Sequence, residues 1–411
     1  MPAPRIAIAG AGPGGLTLAR LLQHNGINCH IFELDGDRNA RSQGGIIDLH
    51  ADMGQKALRE AGLIEEFLKH ALPEADSMKL VKADGTIVWD ENGNDGENNL
   101  LIRQARDRPE IDRARLRDIL LDAIEPGSIQ WNSKITRVEP NLTNPARFDL
   151  HFADHVEEGF DLVIGADGAW SKVRPLVSSQ LPEYSGVIMI EMMALNVSKK
   201  KQWLSDYVGN GSFFMFDEGR SLICQRNGYD GIRVYAGLRK PESWVKDSGI
   251  DWKDPIEARK QLTERYFGDV HDNLKRLIFE ASDSLLVRSL HMLPTGFKWS
   301  SRPGVTLVGD AAHLMTPFAG VGVNVALTDS MLLAQALLKR KDNFEVDLEG
   351  SLNQAIEEYE QQMFKIAKRN MEKTYQGLIH HFSAGGIEHR VEQLQEMARH
   401  VEETRKNVIG V

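Results

Sequence analysis

Two glycine-rich segments near opposite ends of the chain carry the residue types suited to gripping a large polar ligand. Near the start, Gly10-Ala11-Gly12-Pro13-Gly14-Gly15 follows a short apolar run. In a strand–turn–helix the first glycine allows the tight turn, the second lets the backbone approach a pyrophosphate, and the third packs helix on strand. The helix N-terminus then presents free N–H groups and its positive dipole end to phosphates. Glu33 closes the next apolar run, where a carboxylate can accept hydrogen bonds from a ribose. Near the other end, residues 309–329 read GDAAHLMTPFAGVGVNVALTD. Asp310 follows a buried-type strand, and Pro317, Gly320 and Gly322 shape a loop before a helix that begins near Asn324. Asp310 either accepts hydrogen bonds from ligand hydroxyls or caps a helix.

A ligand touched by both segments must be long, and FAD has the length. Asp310 would then meet the ribityl hydroxyls, and Gly320 and Gly322 would let the backbone near the isoalloxazine edge. Reduced flavin is an anion at neutral pH, and a helix N-terminus favours negative charge by roughly 0.3–2 kcal/mol. The middle stretch Asp161-Leu162-Val163-Ile164-Gly165-Ala166-Asp167-Gly168, followed by Ser171 and Arg174, reads in isolation as an ordinary strand and turn.

The elements needed to position these residues are legible. Residues 5–9 are a buried parallel-type strand, 13–25 a helix stopped by Gly26, and 28–33 a second strand, together a βαβ unit. Residues 79–81 and 86–88 flank Ala83-Asp84-Gly85, a hairpin signal. Residues 90–109 are polar and loop-like, 111–124 have helical spacing, and 161–165 and 305–308 are buried strands. Between about 176 and 297 the texture changes: runs at 212–216, 221–225 and 232–238 are joined by short turns, which implies an antiparallel sheet. Residues 352–382 and 387–406 are long charged helices, the latter with an apolar stripe at Val391, Leu394, Met397 and Val401. That stripe is expected to dock along the first domain and to bridge it to the second, with a dimer interface as the minority reading.

With 411 residues the chain suits two domains. Hydrophobic residues make up 42% and charged residues 26%, an ordinary globular balance. A formal net charge of -10 argues against nucleic-acid and anionic-membrane partners. Two cysteines, Cys29 and Cys224, fit a reducing compartment without a disulfide framework. The chain starts directly into a strand with no signal-peptide pattern, and no apolar stretch is long enough to span a bilayer. A monomeric cytoplasmic enzyme is the expectation, with no metal site.

The three segments in order resemble the class A flavoprotein monooxygenases, the group that contains para-hydroxybenzoate hydroxylase. The stretches 37–50, 108–121 and 309–324 look most like the tetracycline-inactivating members. The resemblance implies an α/β fold: a Rossmann-like FAD-binding domain of the GR2 type, an inserted antiparallel-sheet substrate domain and C-terminal helices. The expected boundaries are 1–75, 101–175 and 298–375 for the first, 76–100 and 176–297 for the second, and 376–411 for the terminal helix. It also implies FAD as tight cofactor, NADPH as electron donor and O2 as cosubstrate, with oxygen passing through a flavin C4a-hydroperoxide to a small aromatic or polyketide-like molecule. By that likeness Arg113 contacts FAD, Asp48 lies near its adenosine or ribityl part, and Arg41 takes part in nicotinamide recognition. Gly45, Asp167, Pro317, Val323 and Asn324 complete the cofactor set beside Gly10, Gly12, Gly14, Gly15, Glu33, Asp310, Gly320 and Gly322.

The chain departs from the family pattern at Leu34, where many relatives carry Arg, and at Thr316 and Val321 in the late segment. In the antiparallel domain Glu191, Ser212 and Arg233 fall where tetracycline-inactivating relatives place other polar residues. Phe214, Phe216 and Ile223 line the substrate site or pack beneath it. No catalytic base stands out, and His313 is expected to be structural. A flavin oxidase or dehydrogenase without oxygen transfer, and a nicotinamide-binding regulatory protein, are the competing classes.

Overall fold

The computed structural model describes residues 3–40, 44–92 and 107–409. Its first layer is a five-stranded, all-parallel sheet in the order Val305–Leu307, Leu162–Gly165, Ile6–Ala9, His30–Phe32, Ile129–Gln130. Three of these strands, Val305–Leu307, Leu162–Gly165 and Ile6–Ala9, are apolar almost throughout and fully buried. Pro13–His24 and Gly322–Leu338 pack against each other on one face, where Ser330 Oγ donates to the Gly14 carbonyl at 2.8 Å. The two glycine-rich segments, more than 290 residues apart in sequence, are thus the N-terminal ends of neighbouring helices.

The expected helix from residue 111 begins later, at Arg113–Asp122. Glu110–Asp112 is instead a strand, antiparallel to Ile46–Asp48 with Ile111 opposite Ile47. Helical spacing does not reveal this, because Ile111 satisfies a buried strand position equally well. The ribbon fixes the start of the helix beside Gly45, whose carbonyl accepts the Arg113 N–H at 3.0 Å. Three further strands, Arg137–Pro140, Phe148–His151 and Val156–Phe160, form a small antiparallel sheet that the sequence reading overlooked. Their charged residues, Arg137, Glu139, Glu157 and Glu158, hide the apolar alternation.

The third sheet has seven strands: Ser284–Met292, Glu183–Ala194, Gly231–Arg239, Arg220–Asn227, Ser212–Asp217, Met78–Val81 and Ile87–Asp90. The pairings are antiparallel except one: Ser212–Asp217 runs parallel to Met78–Val81, so the early hairpin extends the later sheet. Alternation sorts its faces. Ile188, Ile190, Met192, Leu222, Cys224, Val234 and Ala236 bury against the helices Pro255–Tyr266 and Asp272–Glu280. Met189, Glu191, Phe214, Ile223, Gln225, Arg233 and Tyr235 lie on the opposite face, toward the first sheet.

Leu348–His381 is one unbroken helix of 34 residues, continuous through the boundary expected at 375. It starts on the parallel sheet, where Tyr359 Oη donates to the Leu307 carbonyl at 2.7 Å, and ends under the seven-stranded sheet. The last helix, Gly386–Ile409, packs Ile387 and Leu394 against Leu80 and Phe216. The expected docking along the first domain is therefore corrected, while the expected contact with the second domain is met: Val391 and Leu394 pack on the seven-stranded sheet, and Met397 is exposed. Among the described residues no helix is long and apolar enough to cross a membrane.

Candidate active site

Gly10 leaves its strand at φ +102°, and its N–H donates to the Phe32 carbonyl at 2.8 Å. A Cβ there would lie 2.6 Å from the Ala166 carbonyl oxygen, so the close approach of the middle segment requires glycine. A Cβ on Gly15 would collide with the Gly10 carbonyl. Gly12 is the opposite case: no protein atom lies within 4 Å of where its Cβ would be. Its open side is where a ligand's pyrophosphate can approach the backbone. Gly14 faces away, 3.6 Å from Ala326, and serves helix packing.

Glu33 is buried, and its carboxylate accepts the Ala11 N–H at 2.6 Å and the Asp35 N–H at 3.0 Å. It braces the glycine turn from the end of the second strand. Buried Arg117 is a second brace that sequence reading missed. It donates to the Arg38 carbonyl at 2.8 Å and lies 3.5 Å from the Asp35 carboxylate. Its only sequence signal is a charged residue beside the apolar stripe of its helix, which is also how a solvated arginine looks.

The middle and late segments are joined by Arg174. This buried guanidinium donates to the carbonyls of Ala169 and Ala311 at 2.8 Å and of Asp310 at 3.2 Å. Burial lowers its pKa, against the pull of Asp167 and Asp310. Asp167 accepts the Lys172 N–H at 2.6 Å through one oxygen, while its other oxygen is buried without a hydrogen-bond partner, close to Gly165. Burial raises its pKa, against hydrogen bonds from Ser171 and Lys172. Asp310 opens into the cleft. The surrounding protein still raises its pKa, opposed by His313, Arg113 and Arg174. Arg113 is itself exposed at the helix start, within electrostatic reach of Asp310.

His313 and Asp329 form the buried underside of this segment. Burial alone pulls the His313 pKa down, but the Asp329 carboxylate outweighs it and the net shift is upward. The residue is 1% exposed.

At the far end of the cleft, Gly320 takes φ +64°, and a Cβ there would lie 3.5 Å from Asp48 Oδ1. Asp48 thus stands opposite the late loop, and its other oxygen lies 3.1 Å from His50 Nε2. The Asn324 side chain is buried and fully engaged: its oxygen accepts the His50 N–H at 2.8 Å and its nitrogen donates to the Asp48 carbonyl at 2.9 Å. It fixes the helix N-terminus to the 48–54 segment, leaving the main chain of Gly322 and Val323 to face the cleft. Gly322, like Gly12, has no atom within 4 Å of its would-be Cβ. Pro317 is exposed at the mouth of the loop. Arg41 lies outside the described residues.

The seven-stranded sheet supplies the facing wall. Arg233 pairs with Glu191, donates to the Gly44 carbonyl at 3.0 Å, and Glu191 also binds Arg288 at 3.3 Å. Arg233 is thus a tie between the sheet and the 44–45 turn. A Cβ on Gly45 would touch Gln225, Tyr235 and Arg233 at 3.4–3.5 Å. Ser212 sits in register with Gln225, and Gln225 with Arg233, so the row is continuous. Gln225 and Tyr235 belong to it and were not singled out from the sequence.

A family model described as "FAD binding domain" matches residues 4–373. The chain belongs to that family. Over 92% of its length and 96% of the relative's, it is 30% identical to "Monooxygenase asqM" of Emericella nidulans. In three dimensions it is similar to Klebsiella pneumoniae HpxO complexed with FAD and uric acid (TM-score 0.72, 21% identity, 98% of this chain and 95% of that one). It is also similar to tetracycline destructase Tet(55) (TM-score 0.71, 18% identity, 97% of each chain). The resemblance to the class A flavoprotein monooxygenases therefore holds along the chain, and the protein is an FAD-dependent monooxygenase by family. The residues present fit the cofactor: Gly12 and Gly322 leave open approaches at the two ends.

Proposed function

We propose that the protein uses NADPH and O2 to insert one oxygen atom into a small aromatic or polyketide-like molecule held between the late loop and the seven-stranded sheet. The observation that carries this reading is the meeting of three segments, at Gly12, Asp167 and Gly320–Gly322, along one cleft roofed by a sheet face with aromatic and polar residues. When bound, FAD would supply hydride acceptance and O2 activation. The chain supplies the rest. Gly10, Gly12 and the Pro13–His24 helix N-terminus would take the pyrophosphate, with Glu33 holding the turn in shape. Asp310 would meet the ribityl hydroxyls. The main chain of Gly322 and Val323 would place a helix N-terminus at the flavin edge and favour its anionic form. Glu191, Ser212, Phe214 and Arg233 belong to the wall on the substrate side. Arg233 acts there mainly by holding the 44–45 turn, because Glu191 and the Gly44 carbonyl engage its guanidinium.

The test is a screen of aromatic and polyketide-like compounds for stimulated NADPH oxidation by the yellow holoprotein, with products weighed by mass spectrometry. A gain of one oxygen atom is expected. Substrate turnover with no oxygen gained would identify an oxidase or dehydrogenase instead. NADPH oxidation that survives complete removal of flavin would overturn the reading.

A further inference from the structure

His381 closes the long helix at the point where the late loop meets the seven-stranded sheet. Its ring lies 3.9 Å from the Phe216 ring centroid, 5.0 Å from Phe318 and 6.4 Å from Phe214. Phe318 belongs to the loop that leads into Gly320, and the helix is pressed onto that loop: Thr374 Oγ1 donates to the Thr316 carbonyl at 2.5 Å. The imidazole is therefore inserted among aromatic rings on the substrate side of the flavin loop.

Its tautomer is set by the fold. Nδ1 lies 2.7 Å from the Gly377 carbonyl oxygen, which can only accept, so Nδ1 carries the proton. Nε2 is left with the lone pair. Among the described residues Nε2 has no hydrogen-bond partner, and the residue is only partly buried. A partly accessible acceptor framed by Phe214 and Phe318 suits an aromatic molecule carrying a hydroxyl at its edge. Burial, with Arg390 and His380 nearby, lowers the His381 pKa to about 4, so the ring is a neutral acceptor at physiological pH.

We propose that His381 is a substrate-contacting residue: its Nε2 accepts a hydrogen bond from the hydroxyl of a phenolic or enolic substrate whose ring packs against Phe214 and Phe318. This rests on the monooxygenase reading above and narrows its substrate class. The hydroxyl keeps its proton in the bound complex. The contact orients the ring and leaves its oxygen richer in electron density. Arginine or lysine at this position would repel no substrate but would lack an acceptor, so the neutral imidazole is the informative choice.

The experiment titrates purified holoprotein with 2-naphthol and with its methyl ether, 2-methoxynaphthalene, by calorimetry, which does not depend on flavin colour. The native protein should bind the naphthol about tenfold more tightly, the worth of one good hydrogen bond. H381F keeps an aromatic ring and should bring the two probes to within about twofold of each other. H381Q keeps an acceptor and should retain part of the preference. Thermal melting and flavin content establish that both variants are folded. A preference unchanged in H381F, or no hydroxyl preference in the native protein, including no binding of either probe, overturns the inference. A colourless protein that still prefers the naphthol would sink the monooxygenase reading alone. A yellow, oxygenating protein without the preference would sink this inference alone.

Discussion

One oxygen of the Asp329 carboxylate lies 2.5 Å from His313 Nε2 and accepts the Gly309 N–H at 2.9 Å. The first glycine of the late segment and the helix that ends it are thereby locked through a pair that is essentially solvent-free, with side chains 1% and 0% exposed. The loop that carries Asp310, Gly320 and Gly322 hangs from this lock.

Asp329→Asn should therefore loosen the cofactor loop as well as the fold. Removing one member of a buried pair costs about 3–5 kcal/mol. The pH dependence has a definite sign. The folded pKa of His313 is raised above 6.5, so its stabilisation is complete below about pH 6.5 and fades as pH rises through the folded value. Chemical denaturation of native and D329N protein across pH 6–9 should show the gap between them shrinking toward alkaline pH. A gap that grows with pH would contradict the assigned pairing.

His381 has the opposite sense. Its pKa is lowered to about 4, so the neutral ring contributes stability above about pH 6.5 that is lost as pH falls through 4. The groups that act on it are Arg390 and His380. The sheet and the late loop present the rings of Phe214, Phe216 and Phe318 to it. H381F should accordingly lose less stability than the native protein between pH 6.5 and 4. Parallel curves would show that the ring is not held neutral.

Gly12→Ala separates binding from folding. Its new methyl meets no protein atom within 4 Å, so unfolding free energy should stay within about 0.5 kcal/mol of the native value. The methyl does enter the approach reserved for the pyrophosphate, and FAD affinity, read by flavin fluorescence, should fall by about tenfold or more. Gly10→Ala, with its positive φ and the Ala166 carbonyl in the way, should lose both stability and flavin. An unchanged flavin affinity in G12A would place the pyrophosphate elsewhere.

Arg174→Met tests the tie between the middle and late segments. The substitution keeps bulk and strands the carbonyls of Ala169, Asp310 and Ala311, at roughly 2–3 kcal/mol. The expected result is a lower Tm together with faster flavin release, since Asp310 is anchored through its own carbonyl. A lower Tm with native flavin retention would confine Arg174 to the core.

The glycine turn, the buried strands, the flavin segment and the long helices were legible in the sequence because each is set by local rules. Glycine spacing follows from turn sterics, and strands and helices follow from apolar period. Departures arose where one sequence satisfied two local readings. Ile111 suits a helix or a strand, and only its partner Ile47 decides. The strands at 137–160 are too charged to announce themselves, and the sheet face that covers the last helix is built from chain segments more than 130 residues apart. Which polar groups remain available was also invisible. Arg233 and Asn324 both read as ligand-facing residues, yet Glu191 and Gly44 occupy the first, and His50 and Asp48 the second. His381 carried no signal, since a histidine ending a charged helix looks like a solvated residue. The sequence by itself determined the cofactor class and the order of the segments that hold it. Only the tertiary structure decided which side chains are spent on one another and which face the cleft, because hydrogen-bond partnership is fixed by long-range packing and not by neighbours along the chain.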